Sequence, residues 1–176
     1  MTVPKGKTME FPQRKRQRLR DFDYSSQHYY FVTICCSGMR HLFANGLQLN
    51  KRGMVAQRHI EALPSRHEGI YIDKYVVMPN HIHMIVAIGC DGAERSRPFP
   101  TLSTIIGQYK SGVSRELHGE EPNLKIWQKS FNDHIIRNKN DYEMIWQYID
   151  TNPAEWELDC FHPQNQGKEQ THDSLF

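Results

Sequence analysis

The sequence has no apolar run long enough to cross a membrane. The longest are Tyr75–Pro79 and Met84–Cys90, far short of the roughly eighteen residues a spanning helix needs. Its basic N-terminus is followed by no apolar stretch, which argues against a secretory leader. The four cysteines (Cys35, Cys36, Cys90, Cys160) include no CxxC pair. Cys35 and Cys36 are neighbours and face opposite ways on a strand, so reduced thiols in a cytoplasmic protein are expected. Repeats and low-complexity tracts are absent. What is there is 176 residues, 38% hydrophobic and 24% charged, which suffices for one domain with its own core.

Charge is unevenly spread. Residues 1–20 hold seven basic side chains against Glu10, a net of +6, and the other 156 hold fifteen basic and nineteen acidic, a net of −4. The expected organisation is a basic arm (1–20), a folded body (21–158) and a polar tail (159–176). A basic arm suits an anionic partner such as nucleic acid, and it equally suits a solvated tail that aids solubility. Arg14, Lys15, Arg16, Arg18 and Arg20 are the candidate phosphate contacts, with Lys110 and Arg115 weaker ones.

Hydrophobic patterning predicts the elements. Tyr29–Cys36 is aromatic and β-branched, a buried strand in which Tyr29 and Tyr30 read as core. Leu47–Leu49 follows an Asn-Gly turn as a short strand. Lys51–Leu63 has helical spacing and stops at Pro64. Ile70–Met78 and His81–Ile88 flank Pro79-Asn80 as a hairpin. Leu102, Ile105, Ile106, Tyr109, Val113 and Leu117 mark one face of a helix from Thr101 to His118. Residues 125–136 read as a bent strand or strand pair. A last helix, capped by Asn140 with Glu143 completing the box, carries Tyr142, Ile145, Trp146 and Ile149 as its stripe and ends at Pro153. The order is the split βαβ pattern of an α+β, ferredoxin-like antiparallel sheet with helices on one face, followed by the extra C-terminal helix.

Chemistry concentrates in two places. His81 and His83 alternate with Ile82 on a strand, so both imidazoles share a face and form a ready chelate. Ten histidines in 176 residues make such a pair about 0.6 times by chance, so the spacing alone is weak. Its place inside an apolar strand strengthens it. Tyr148 and Asn152 are one helical turn apart, about 40° around the axis, with Tyr148 at the edge of the apolar stripe. Two imidazoles, an amide and a phenol can make a three-ligand metal site beside a nucleophile. His134 reads as a surface or packing residue. Trp127, Trp146 and Trp156 read as packing.

The segments Met78-Pro-Asn-His-Ile-His-Met-Ile-Val86, Ile126-Trp-Gln128, Asp133-His-Ile-Ile-Arg-Asn138 and Tyr148-Ile-Asp-Thr-Asn-Pro153, with Asp23-Tyr-Ser25 and Tyr30–Ile34, resemble the single-tyrosine transposases of the HUH nuclease superfamily. The likeness is strongest to REP-associated tyrosine transposases and runs from about Arg18 to Trp156. It implies that His81 and His83 bind a divalent ion, Mg2+ or Mn2+, with Asn152 as third ligand and Tyr148 as nucleophile. It further implies cleavage of single-stranded DNA near palindromic hairpins through a 5′-phosphotyrosine, followed by rejoining. Monomers and homodimers both fit; the short Arg137–Asn140 linker favours Tyr148 acting in its own subunit. A non-cleaving hairpin-binding protein on the same fold is the alternative. A hydrolase without a covalent step is disfavoured, because no acidic residue neighbours His81–His83 in sequence, although a distant one could fold in.

Overall fold

The computed structural model describes residues 27–90, 98–159, 161–162 and 164–165. The elements are β1 (His28–Cys35), β2 (Ala44–Asn45), β3 (Gln48–Leu49), α1 (Lys51–Glu61), α2 (Leu63–Arg66), β4 (Ile70–Val77), β5 (His81–Ile88), α3 (Leu102–His118), β6 (Asn132–Ile136) and α4 (Lys139–Thr151). The main sheet has the order β4-β5-β1-β6, antiparallel throughout. The two central strands are thus β5 and β1, the arrangement expected of a ferredoxin-like core, while β2 and β3 form a separate small hairpin.

Strand alternation divides the sheet between two cores. Tyr30, Val32, Ile34, Ile82, Met84, Val86 and Ile88 face α1 and α3 and build the larger one. Phe31, Ile85 and Ile136 face the other way and pack against Ile145 and Ile149 of α4. Every residue of β5 is buried. No helix among the described residues is long and apolar enough to cross a membrane.

Local chemistry sets the helix ends. Asn50 caps α1, accepting from the Arg52 and Gly53 amides, and its own amide nitrogen donates to Leu42 O. Gly53 lets α1 dock on the preceding loop, since a Cβ there would stand 2.1 Å from Phe43 O. Pro64 starts the short helix α2 instead of merely ending α1, a position where proline's missing N–H is harmless. The cap of α4 is Asn138, not Asn140: Asn138 is extended and accepts from Asp141 N, while Asp141 accepts from Arg137 N. Asp141 stands at the position expected of Glu143, but the Arg137 amide it accepts from lies one residue before the cap. Tyr30 is wholly buried, but Tyr29 is 37% exposed, because alternation turns it toward the thinner α4 side. Trp146 is also partly exposed, lying under the Lys74 ammonium, 3.7 Å from the ring centre.

Candidate active site

β5 sends His81 and His83 to the α4 face, opposite Cys35 and Thr33 of β1. The rings lie 4.4 Å apart between centroids, and neither residue has any exposed surface. His83 stacks on Phe31 at 5.1 Å, and its Nδ1 is 2.8 Å from Thr33 Oγ1. His81 Nδ1 is 2.8 Å from Asn80 Oδ1. Each imidazole is therefore held at Nδ1, with Nε2 turned to the centre.

α4 brings the phenol. Tyr148 sets its hydroxyl 3.3 Å from His83 Nε2 of the same chain and its ring edge-on to Phe31. One turn later Asn152 closes α4, its amide donating to Tyr148 O. Asn152 is 2% exposed; its Nδ2 donates to Asp159 Oδ2 at 2.5 Å. Its Oδ1 is buried with no hydrogen bond among the described residues.

Beyond Pro153 a 3-10 turn at Trp156–Leu158 reverses the chain over the site. Asp159 is 7% exposed; its Oδ1 accepts from Phe161 N at 2.6 Å, and its Oδ2 lies 3.9 Å from His81 Nε2. Phe161 covers His81 at 4.6 Å and His83 at 5.8 Å between centroids. One ligand atom each from His81, His83 and Asp159 falls within 4.8 Å of the others.

This donor set fits a divalent cation. Two imidazole nitrogens and a carboxylate oxygen converge, with Asn152 hydrogen-bonded to that carboxylate, and imidazole and oxygen ligands suit such ions. The partnerless Asn152 Oδ1 is the sharper sign, because an unpaired buried acceptor is costly unless something positive meets it.

All four residues read from the sequence, His81, His83, Tyr148 and Asn152, thus meet in one place. Asp159 was missed. It stands first in the segment read as a polar tail, and only its flanking by Trp156 and Phe161 hinted at burial. Lys110 is placed differently from an exposed phosphate contact: its ammonium donates to Gln128 O at 2.6 Å and Ser130 O at 3.2 Å. Burial lowers its pKa. Arg14, Lys15, Arg16, Arg18 and Arg20 lie outside the described residues. His134 faces Asp141, tying β6 to the start of α4.

Comparison with known proteins agrees with the geometry. The family model described as "Transposase IS200 like" matches residues 24–152. A Haemophilus influenzae protein described as "Uncharacterized protein" is 31% identical, the match covering 83% of this chain and 91% of that protein. A solved structure described as "Structure of the REP associates tyrosine transposase bound to a REP hairpin" superposes with a TM-score of 0.54 at 20% identity, covering 79% of this chain and 73% of that one. At that identity the likeness concerns the fold.

Proposed function

The chain belongs to the IS200-like transposase family, and from that premise we propose that it is a single-strand DNA endonuclease and strand transferase with Tyr148 as nucleophile. The observation that carries the reading is the Tyr148 hydroxyl, 3.3 Å from His83 Nε2 beside a buried ligand cluster. His81, His83 and Asp159 would hold a divalent ion, Mg2+ or Mn2+, with Asn152 turning its amide oxygen to it.

A phenol of pKa about 10 is a weak nucleophile at neutral pH. The bound cation would supply the positive charge that activates a phosphodiester and offsets charge developing on its oxygens. The chain's own residues do the positioning. Phe31 and His83 wall the Tyr148 ring and set its hydroxyl 3.3 Å from His83 Nε2, the nitrogen that would turn to the cation. On attack the phenol gives its proton to solvent, a Tyr148 Oη–P bond forms, and the bond from phosphorus to the 3′ oxygen breaks, that oxygen taking a proton from solvent. That oxygen leaves as a 3′-hydroxyl, and the 5′-phosphotyrosine keeps the phosphodiester's energy for rejoining to another strand. The chain between β6 and α4 is long enough for Tyr148 to reach His83 of its own subunit.

The proposed substrate is single-stranded DNA flanking palindromic hairpins, as for a REP-associated enzyme. The arm, residues 1–20, would contact backbone phosphates in the cytoplasm. A non-cleaving binder is the second reading, favoured by the complete burial of both imidazoles under Phe161. The deciding test mixes the protein with oligonucleotides from the palindromes flanking its own gene, with Mg2+ or Mn2+. A covalent adduct on a denaturing gel, lost with chelator and with Tyr148→Phe, is expected. Hairpin binding without any adduct would give the second reading the lead.

A further inference from the structure

Turn residues are ordinarily wet, yet Asn80, in the Pro79-Asn80 turn between β4 and β5, has no exposed surface. A buried primary amide must spend its donors and acceptor on partners. Asn80 does so on three different pieces of the site. Its Nδ2 donates to Phe161 O at 2.8 Å and, more distantly, to Met39 O at 3.4 Å. Its Oδ1 faces His81 Nδ1 at 2.8 Å. Its backbone is pinned as well, Asn80 O accepting from Cys36 N at 2.8 Å.

The two nitrogen contacts fix which way the amide points, because the flipped amide would set its oxygen against two carbonyl oxygens. With the oxygen directed at His81, and an amide oxygen able only to accept, the hydrogen of that bond belongs to His81 Nδ1. The lone pair then lies on Nε2, the atom 3.9 Å from Asp159 Oδ2.

We propose that Asn80 is a positioning residue that holds His81 in its Nδ1–H tautomer, presenting Nε2 to a cation, and that ties this state to Phe161 through its backbone carbonyl. The proposal rests on the reading of His81 as a ligand. Partners that fix a ligating imidazole's tautomer typically change metal affinity 10- to 100-fold.

The test uses full-length, metal-free protein with 15N-labelled histidine, at a pH above the imidazole range. Long-range 1H–15N correlations, with His81 assigned from its loss in His81→Gln, report which nitrogen carries the hydrogen. The Nδ1–H pattern is expected in the wild type, and an Nε2–H pattern overturns the proposal whatever the variants do. Asn80→Ala is expected to mix the tautomers and weaken Mn2+ binding about 10- to 100-fold. Asn80→Asp keeps an acceptor beside Nδ1 but sets its second oxygen against the Phe161 and Met39 carbonyls, so it is expected to retain the Nδ1–H pattern while losing the tie to Phe161; a folded Asn80→Asp that loses the pattern also overturns the role. An unchanged tautomer and Mn2+ affinity in a folded Asn80→Ala overturns the role. Failure of the wild type to bind Mn2+ would instead sink the metal reading and leave the tautomer result standing.

Discussion

At the residue scale, Asp159 alters the electrostatics of the centre. Two imidazoles and an amide are neutral; the carboxylate adds a negative charge that is 7% exposed. Burying it is tolerable because Asn152 Nδ2 and Phe161 N both donate to it, and a cation would complete its neutralisation. Asp159→Asn should keep the packing and lose the charge. The expected outcome is a fall of roughly tenfold or more in Mn2+ affinity by calorimetry, at little change in thermal midpoint. An unchanged affinity would remove Asp159 from the ligand set. The histidine pair was legible in the sequence because strand alternation alone puts both rings on one face. Asp159 was not, because its partners stand up to 78 positions away and nothing local marks an acid for burial. Asn80 was masked in another way: beside proline it satisfies every rule for an exposed turn.

At the scale of elements, α4 carries the nucleophile, so its start and end matter more than its middle. The apolar stripe that predicted the helix is present, with Ile145 and Ile149 buried. The cap was misplaced by two residues because Asn138 and Asn140 are equally good cap types and each has an acid three positions on. Only the extended backbone at Asn138 decides between them. Asn138→Ala should cost about 1 kcal/mol in urea unfolding, and Asn140→Ala close to nothing; the reverse order would restore the original assignment. The start of α4 has a second anchor. The Tyr142 hydroxyl donates to Asp73, and burial first, then that carboxylate, push its pKa up to about 12. Asp73 sits where the register between β4 and β5 shifts, and beside it Lys74 pairs with Asp150, so one bulge sends two consecutive side chains to α4.

Lys110 belongs to this scale too. It ties α3 to the irregular chain before β6. Losing its hydrogen bonds in Lys110→Met should lower the thermal midpoint by about 2–4 °C and leave the salt dependence of hairpin binding unchanged. Its pH signature has a definite sign. Burial lowers its folded pKa below the ordinary 10.5, so the unfolded chain holds the proton more tightly. Stability relative to Lys110→Met should therefore rise with pH from the lowered value toward 10.5 and level off beyond it. A flat difference curve would show an ammonium that is freely hydrated.

For the whole molecule, the arrangement of layers was readable and the placement of α4 was not. The βαββαβ order predicted the core sheet and its two helices, but only the structure shows α4 on the opposite face, where it encloses the centre between sheet and helix. Charge is partitioned at the same scale, with +6 on residues 1–20 and −4 on the rest. On the proposed reading, removing residues 1–20 should weaken hairpin binding and flatten its dependence on salt, since fewer counterions are released. An unaltered slope in a filter-binding titration would place the phosphate contacts on the body.

The two-faced strand β5 has one more consequence. Its even-numbered side chains fill the large core, and its odd-numbered ones face α4, His81 and His83 among them, so a slip of one residue would exchange Ile82 and Met84 with His81 and His83. A chain trapped that way could stay compact and keep its strand content, yet it would have dispersed its donor set. In a refolded preparation, moles of Mn2+ bound per mole of protein would then act as an assay of folding fidelity, counting the molecules whose strands found the right partners.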